Sequence, residues 1–233
     1  MKFGQNYGGG GNSVAFTLAE VLITLGIIGV VAALTLPSLI AKHRKQVVET
    51  KLKKTYSVLY NALRYSENEN GNLQYPAKEL WDKNTYFSSA EFFDTYISPY
   101  LNNIVRSDTS NISKTVYLVD NTKITYRARL FQWPWDKNAP FILGDIGIQF
   151  GNDKSISGKN RFGFKLGYAQ MGNSKLDLIF IYSGGDYGLD PNIAAECGEE
   201  VIKTKCADGD AVSCTHMIYC NGWKIPDDYP IKF

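Results

Sequence analysis

Three sets of residues have types and spacings that suggest chemistry. The first is a single acid: between Phe16 and Ala41 the only charged side chain is Glu20, four residues past Phe16 at the head of an apolar run. A carboxylate inside a membrane helix costs about 2.5–3.5 kcal/mol on insertion scales, so an acid in that place invites a partner for its charge. The second set is Cys197, Cys206, Cys214 and Cys220, all within the last stretch of the chain. An even number clustered in one loop-rich region points to disulfides in an oxidising compartment. The competing chemistry is zinc, but no pair has the C-x-x-C spacing and the only nearby histidine is His216. Three pairings are open, with 197–206 and 214–220 the first expectation from proximity. The third set, Asp186 and Asp190, could offer oxygens to calcium. Their spacing is not that of an EF-hand loop, and Gly/Asp-rich turns arise from backbone needs alone.

Catalytic signatures are missing: no G-x-S-x-G, P-loop, dinucleotide fingerprint or H-E-x-x-H occurs. His43 and His216 have no nucleophile beside them in a known motif. A formal net charge of +2 leaves no footprint for direct nucleic-acid binding, and no cofactor is implied. The aromatics Tyr126, Phe131, Trp133 and Trp135 suit either a ligand shelf or, more simply, a sheet core.

The elements that position these residues can be read from periodicity. Residues 1–15 carry a glycine run and no packing pattern, and read as a leader. The 26 residues from Phe16 to Ala41 would make about 39 Å of helix, enough to span a bilayer core. Gly26 and Gly29 within it are small enough to let another helix approach closely. The helix then continues as an amphipathic one: Val48, Leu52, Tyr56, Leu59 and Leu63 form an apolar stripe, and lysines and Glu49 occupy the opposite face. The pattern fades at Ser66, with Gly71 a plausible stop. A short helix is expected over Ala90–Tyr100. Beyond it the period becomes two, in five runs: Thr115–Val119, Lys123–Trp133, Phe141–Phe150, Arg161–Ala169 and Leu176–Tyr182. These suggest an antiparallel meander that covers the helix stripe with one face. The tail from 184 reads as loop.

Ala15, Phe16, Thr17, Leu18 and Glu20, with Pro37 further along, resemble the start of type IV prepilins and type II secretion pseudopilins. The resemblance implies a dedicated peptidase that cuts between Ala15 and Phe16 and methylates the new terminus at Phe16. It further implies that Glu20 pairs with the terminal amine of a neighbouring subunit during assembly, and that Pro37 is the family's helix-loosening proline. The ending Asn221-Gly222-Trp223-Lys224-Ile225-Pro226-Asp227-Asp228-Tyr229-Pro230 resembles that of some pseudopilin-like proteins. Ala15 departs from the family's glycine before the cut; Gly11 offers another cut but would leave Glu20 nine residues in. Lys42, Arg44, Lys45, Lys51, Lys53 and Lys54 also depart, because the positive-inside rule would place them in the cytoplasm. The cysteines and the leader favour export. The lysines are then a solvated helix face, or one that meets anionic headgroups.

The reading is an α+β, pilin-like protein: a leader (1–15), a membrane-spanning half-helix (16–41), an amphipathic half-helix (42–66) and an exported domain (67–233). Its expected place is the bacterial inner membrane, single-pass, and then a filament or pseudopilus. The expected partners are membrane lipid, other pilin-like subunits, the prepilin peptidase and the assembly ATPase machinery. Its work would be mechanical, not enzymatic. The rival is a single-pass anchored extracytoplasmic domain, ligand-binding or enzymatic, with an uncleaved signal anchor.

Overall fold

The computed structural model describes residues 17–71, 73, 89–110, 113–133, 136–168, 176–179, 197–198 and 200–233, with backbone alone over 128–133, 136–143, 167–168 and 176–179. Two units are separable by their contacts, Met1–His43 and Arg44–Phe233. One helix, α1 (Leu18–Asn70), contributes to both. It is one turn longer than its hydrophobic pattern and ends where Gly71 takes φ +78°, a left-handed value that side chains resist.

In the second unit, α1 lays its stripe against a six-stranded sheet. The strands are β1 (Ile104–Thr109), β2 (Lys114–Leu118), β3 (Thr122–Trp133), β4 (Asp136–Phe150), β5 (Arg161–Tyr168) and β6 (Leu176–Ile179), antiparallel throughout and in sequential order. Each of the five expected runs contains a strand, with Ala169 and residues 180–182 of those runs outside the described residues, and β1 is an addition. Alternation along the strands turns Val116, Ile124, Tyr126, Ile146, Ile148, Phe162, Phe164 and Leu166 inward, where they join Leu52, Leu59 and Leu63 in one core. Every residue of that core lies at or beyond Val48.

Helix α2 (Ser89–Tyr96) closes one end of the core. Its Phe92 and Phe93 stack against Tyr126, with ring centroids 5.8 and 5.6 Å away. Lys114 of β2 reaches Asp94 at 2.8 Å and ties α2 to the sheet. Tyr126 is therefore core packing, and burial pushes its hydroxyl well above the usual phenol range. Phe131, Trp133 and Trp135 have no described side chains, so the ligand-shelf expectation falls outside the described residues.

The tail is a correction. Where a loop was expected, α3 (Glu200–Ala207) and α4 (Ala211–Cys220) form a helical hairpin. Gly209 at φ +94° makes the turn, and Asp210 caps α4 by accepting from the Ser213 N–H at 2.9 Å. Helix α4 lies along β5, and the Thr215 hydroxyl accepts from the Gly163 N–H at 3.0 Å.

Candidate functional site

Two places gather the residues that the sequence singles out. The first is the head of α1. Leu18, Val21, Leu22, Ile23, Leu25, Ile27, Ile28, Val30, Val31, Leu34, Leu36, Leu39 and Ile40 are all exposed, Leu18 by 81% and Leu34 by 76%. A helix that is apolar on every side needs lipid or other helices around it. By length and composition this one can cross a membrane. Two of its hydroxyls are satisfied within the helix. The Thr24 hydroxyl donates to the Val21 carbonyl at 3.0 Å and that of Thr35 to Val31 at 2.9 Å, as apolar surroundings require.

Glu20 has a local partner. Its Oε2 accepts from the Thr17 N–H at 2.9 Å and from the Thr17 hydroxyl at 2.8 Å, while Thr17 Oγ1 accepts from the Glu20 N–H at 3.2 Å. This is a reciprocal capping box, a T-x-x-E pattern that satisfies free N–H donors at a helix start. The spacing was in the sequence as Thr17-Leu-Ala-Glu20, but attention to the apolar run hid it. Gly26 and Gly29 lie in the same exposed segment, and a methyl group added at either would meet nothing within 4 Å. The helix runs through Pro37 without interruption, although proline leaves the Ala33 carbonyl without its helical donor. The expected cleavage site, Ala15 and Phe16, lies outside the described residues, as do Asp186 and Asp190.

The second place is the tail, where all four cysteines are paired. Cys197 bonds to Cys220 and Cys206 to Cys214, so the proximity pairing is wrong. The reason is helix geometry. Cys214 and Cys220 both lie on α4, six residues apart, about 9 Å along the axis at 1.5 Å per residue. A disulfide needs α-carbons within about 7 Å. Turning the chain at Gly209 instead brings Cys206 and Cys214 to 4.6 Å between α-carbons. One ring nitrogen of His216 lies within 4.8 Å of the Cys197 and Cys220 sulfurs, but the disulfide uses both sulfurs and leaves no thiolate for a metal.

The last residues form a clasp that the sequence reading did not assign. Gly222 and Trp223 both take left-handed φ, +65° and +67°, an unusual conformation for a side chain as large as tryptophan. The bend sets Trp223 4.8 Å from Tyr56 of α1 and 5.2 Å from Tyr219 between ring centroids. It also returns the chain to Glu49, a buried acid on α1. Glu49 accepts from the Ile225 N–H at 2.9 Å and from Lys224 at 3.0 Å. Further on, the buried Tyr229 hydroxyl donates to the Gly158 carbonyl at 2.8 Å. The resemblance at 221–230 thus rests on residues that fasten the end of the chain to α1 and to the sheet.

These features define a class: an α+β protein whose apolar N-terminal helix continues into an amphipathic stretch packed on an antiparallel sheet, with a disulfide-stapled tail. Residues 38–233 match a family of unknown function (DUF6613), and the chain belongs to that family. The match begins at Ser38, so it covers the sheet unit and not the apolar head of α1. No curated protein and no solved structure matches the chain.

Proposed function

We propose that this chain is a structural subunit of a type IV-like filament or secretion pseudopilus, made as a prepilin and built into a helical bundle. The observation that carries this reading is α1: one continuous helix, exposed and apolar on all sides from Leu18 to Ile40, then buried along one stripe from Val48 to Leu63. A helix of this design serves two surroundings. It waits in a bilayer as a single span and packs against other copies of itself once extracted. Gly26 and Gly29 permit close approach, which matters because lipid removes the hydrophobic drive between helices. The paired cysteines favour a sheet unit on the exported side. Activity in this reading is assembly, not catalysis.

In the filament reading Glu20 exchanges its Thr17 donors for the terminal amine at Phe16 of a neighbouring subunit. A specific observation also supports the rival, an uncleaved anchor. The capping box already gives the Glu20 carboxylate two donors within its own helix, so no second subunit is needed to hydrogen-bond it. Intact-mass and N-terminal peptide spectrometry on protein from native membranes separates the two. A terminus at Phe16 carrying one methyl group is the filament outcome; an intact Met1 leaves an anchored domain. The variant Glu20→Ala should insert normally and assemble poorly, and normal incorporation into filaments would remove the charge-pair role.

A further inference from the structure

The outer face of the sheet, opposite α1, carries a feature that neither the helix nor the disulfides explain. Strand register sets three parallel rows on it. Lys123, Gln149 and Arg161 are opposite one another across β3, β4 and β5, as are Thr125, Gly147 and Gly163, and then Arg127, Asp145 and Lys165. The four cations stand at the corners of a rectangle. It measures about 10 Å across two strand spacings and about 13 Å along four residues of strand. The middle row is its floor, where two glycines leave no side chains. Ala211 and Val212 of α4 form one wall of a shallow, open cleft with a volume of about 300 Å³.

Charge in the cleft is unbalanced. Asp145 is its one acid, and it is engaged by Lys165. Among the described residues no carboxylate pairs with Lys123, Arg127 or Arg161; the Arg161 guanidinium is instead held by the Ser157 hydroxyl at 2.6 and 3.1 Å. Arg127 is exposed, and the Lys123 ammonium lies 5.9 Å from the centre of the Tyr117 ring. A cleft bounded by cations and floored by backbone, with the Thr125 hydroxyl and the Gln149 amide beside them, suits a ligand with oxyanions at its ends and hydroxyls between. We propose that this cleft binds an acidic oligosaccharide, one whose carboxylates or sulfates meet Lys123, Arg127 and Arg161 while its ring hydroxyls meet Thr125 and Gln149. The volume is near the lower end for small-molecule sites and matches a short sugar segment. Nucleic acid fits less well: among the described side chains the ring beside this cleft, Tyr117, already carries the Arg106 guanidinium at 4.1 Å on its face.

The proposal is independent of the filament reading, since an anchored domain would present the same face. Its test uses the full chain in non-ionic detergent, titrated calorimetrically with trigalacturonate. Maltotriose and a six-nucleotide thymidine strand serve as comparisons. Saturable trigalacturonate binding is expected, weakened at least tenfold in Arg127→Gln and in Lys123→Gln, with neither comparison binding comparably. The decisive variant is Gly147→Val. A Cβ at Gly147 meets only Thr125, at 3.8–4.0 Å, so the substitution suits the strand while filling the floor. Binding should be lost with the melting temperature unchanged or raised. No saturable binding, equal binding of maltotriose, tighter binding of the thymidine strand, or unaltered affinity in all three variants would each overturn the proposal. If Gly147→Val does not fold, the two charge variants decide.

Discussion

At the scale of single residues, Glu49 shows how a charge can be misread from sequence. Among Lys42, Arg44, Lys45, Lys51, Lys53 and Lys54 it looks like the one counter-charge of a solvated helix face. It is instead buried, and its carboxylate receives the Ile225 N–H from the far end of the chain. Most of its contribution is that backbone hydrogen bond, because the Lys224 partner is 70% exposed and exposed ion pairs contribute little. Glu49→Ala would leave the Ile225 N–H buried without an acceptor and should cost roughly 2 kcal/mol. Glu49→Gln keeps an acceptor oxygen and should cost less than about 1 kcal/mol. Urea denaturation of the two variants measures the difference; equal losses would mean that the charge, not the backbone hydrogen bond, matters. Nothing local in the sequence marks Glu49, since its partner is 176 residues away. Glu20 is the opposite case, with both of its partner groups three residues back and the T-x-x-E spacing in plain view.

At the scale of elements, legibility followed the length and purity of the pattern. The apolar head of α1 and its stripe from Val48 to Leu63 were clear because a helical period is sustained over many turns. Strands β2 to β5 were clear because one face of the sheet there is a core and enforces alternation. Strand β1 was missed for the converse reason: from Val105 to Thr109 it is exposed on both faces, so burial writes no pattern into it. Helices α3 and α4 were missed because they are short and their cysteines suggested a loop. Once α4 is known to be helical the disulfide pairing follows from its rise. The two bonds should differ in accessibility: Cys206 and Cys214 are fully buried, whereas Cys197 is exposed and Cys220 partly so. Mild reduction of the native protein followed by alkylation should label Cys197 and Cys220 first. Early labelling of Cys206 and Cys214, or peptides linking 197 to 206, would contradict this arrangement.

At the scale of the whole molecule, the chain divides its needs between two units with opposite solvents. In the first, Met1–His43, none of the described residues belongs to the core, and the side chains from Leu18 to Ile40 are nearly all exposed and apolar. Among the described residues the second contains every buried one, both disulfides, the Glu49 clasp and the outer cleft. A chain beginning at Arg44 should therefore fold without the first unit. It keeps Val48, Leu52, Leu59 and Leu63 on α1, and so keeps the helix surface that the sheet covers. Such a fragment should be soluble without detergent, form both disulfides under oxidising conditions and melt cooperatively, since removing a segment without core contacts removes no packing energy. A second truncation, beginning at Ser57, is the contrast. It deletes Val48, Glu49, Leu52 and Tyr56, leaves the Ile225 N–H without its acceptor and takes the Tyr56 ring away from Phe164 and Trp223, and it should fail to melt cooperatively. Calorimetry of the two fragments reads this directly. If the longer fragment aggregated or melted without cooperativity, the apolar half of α1 would have to support the sheet unit as well as anchor it.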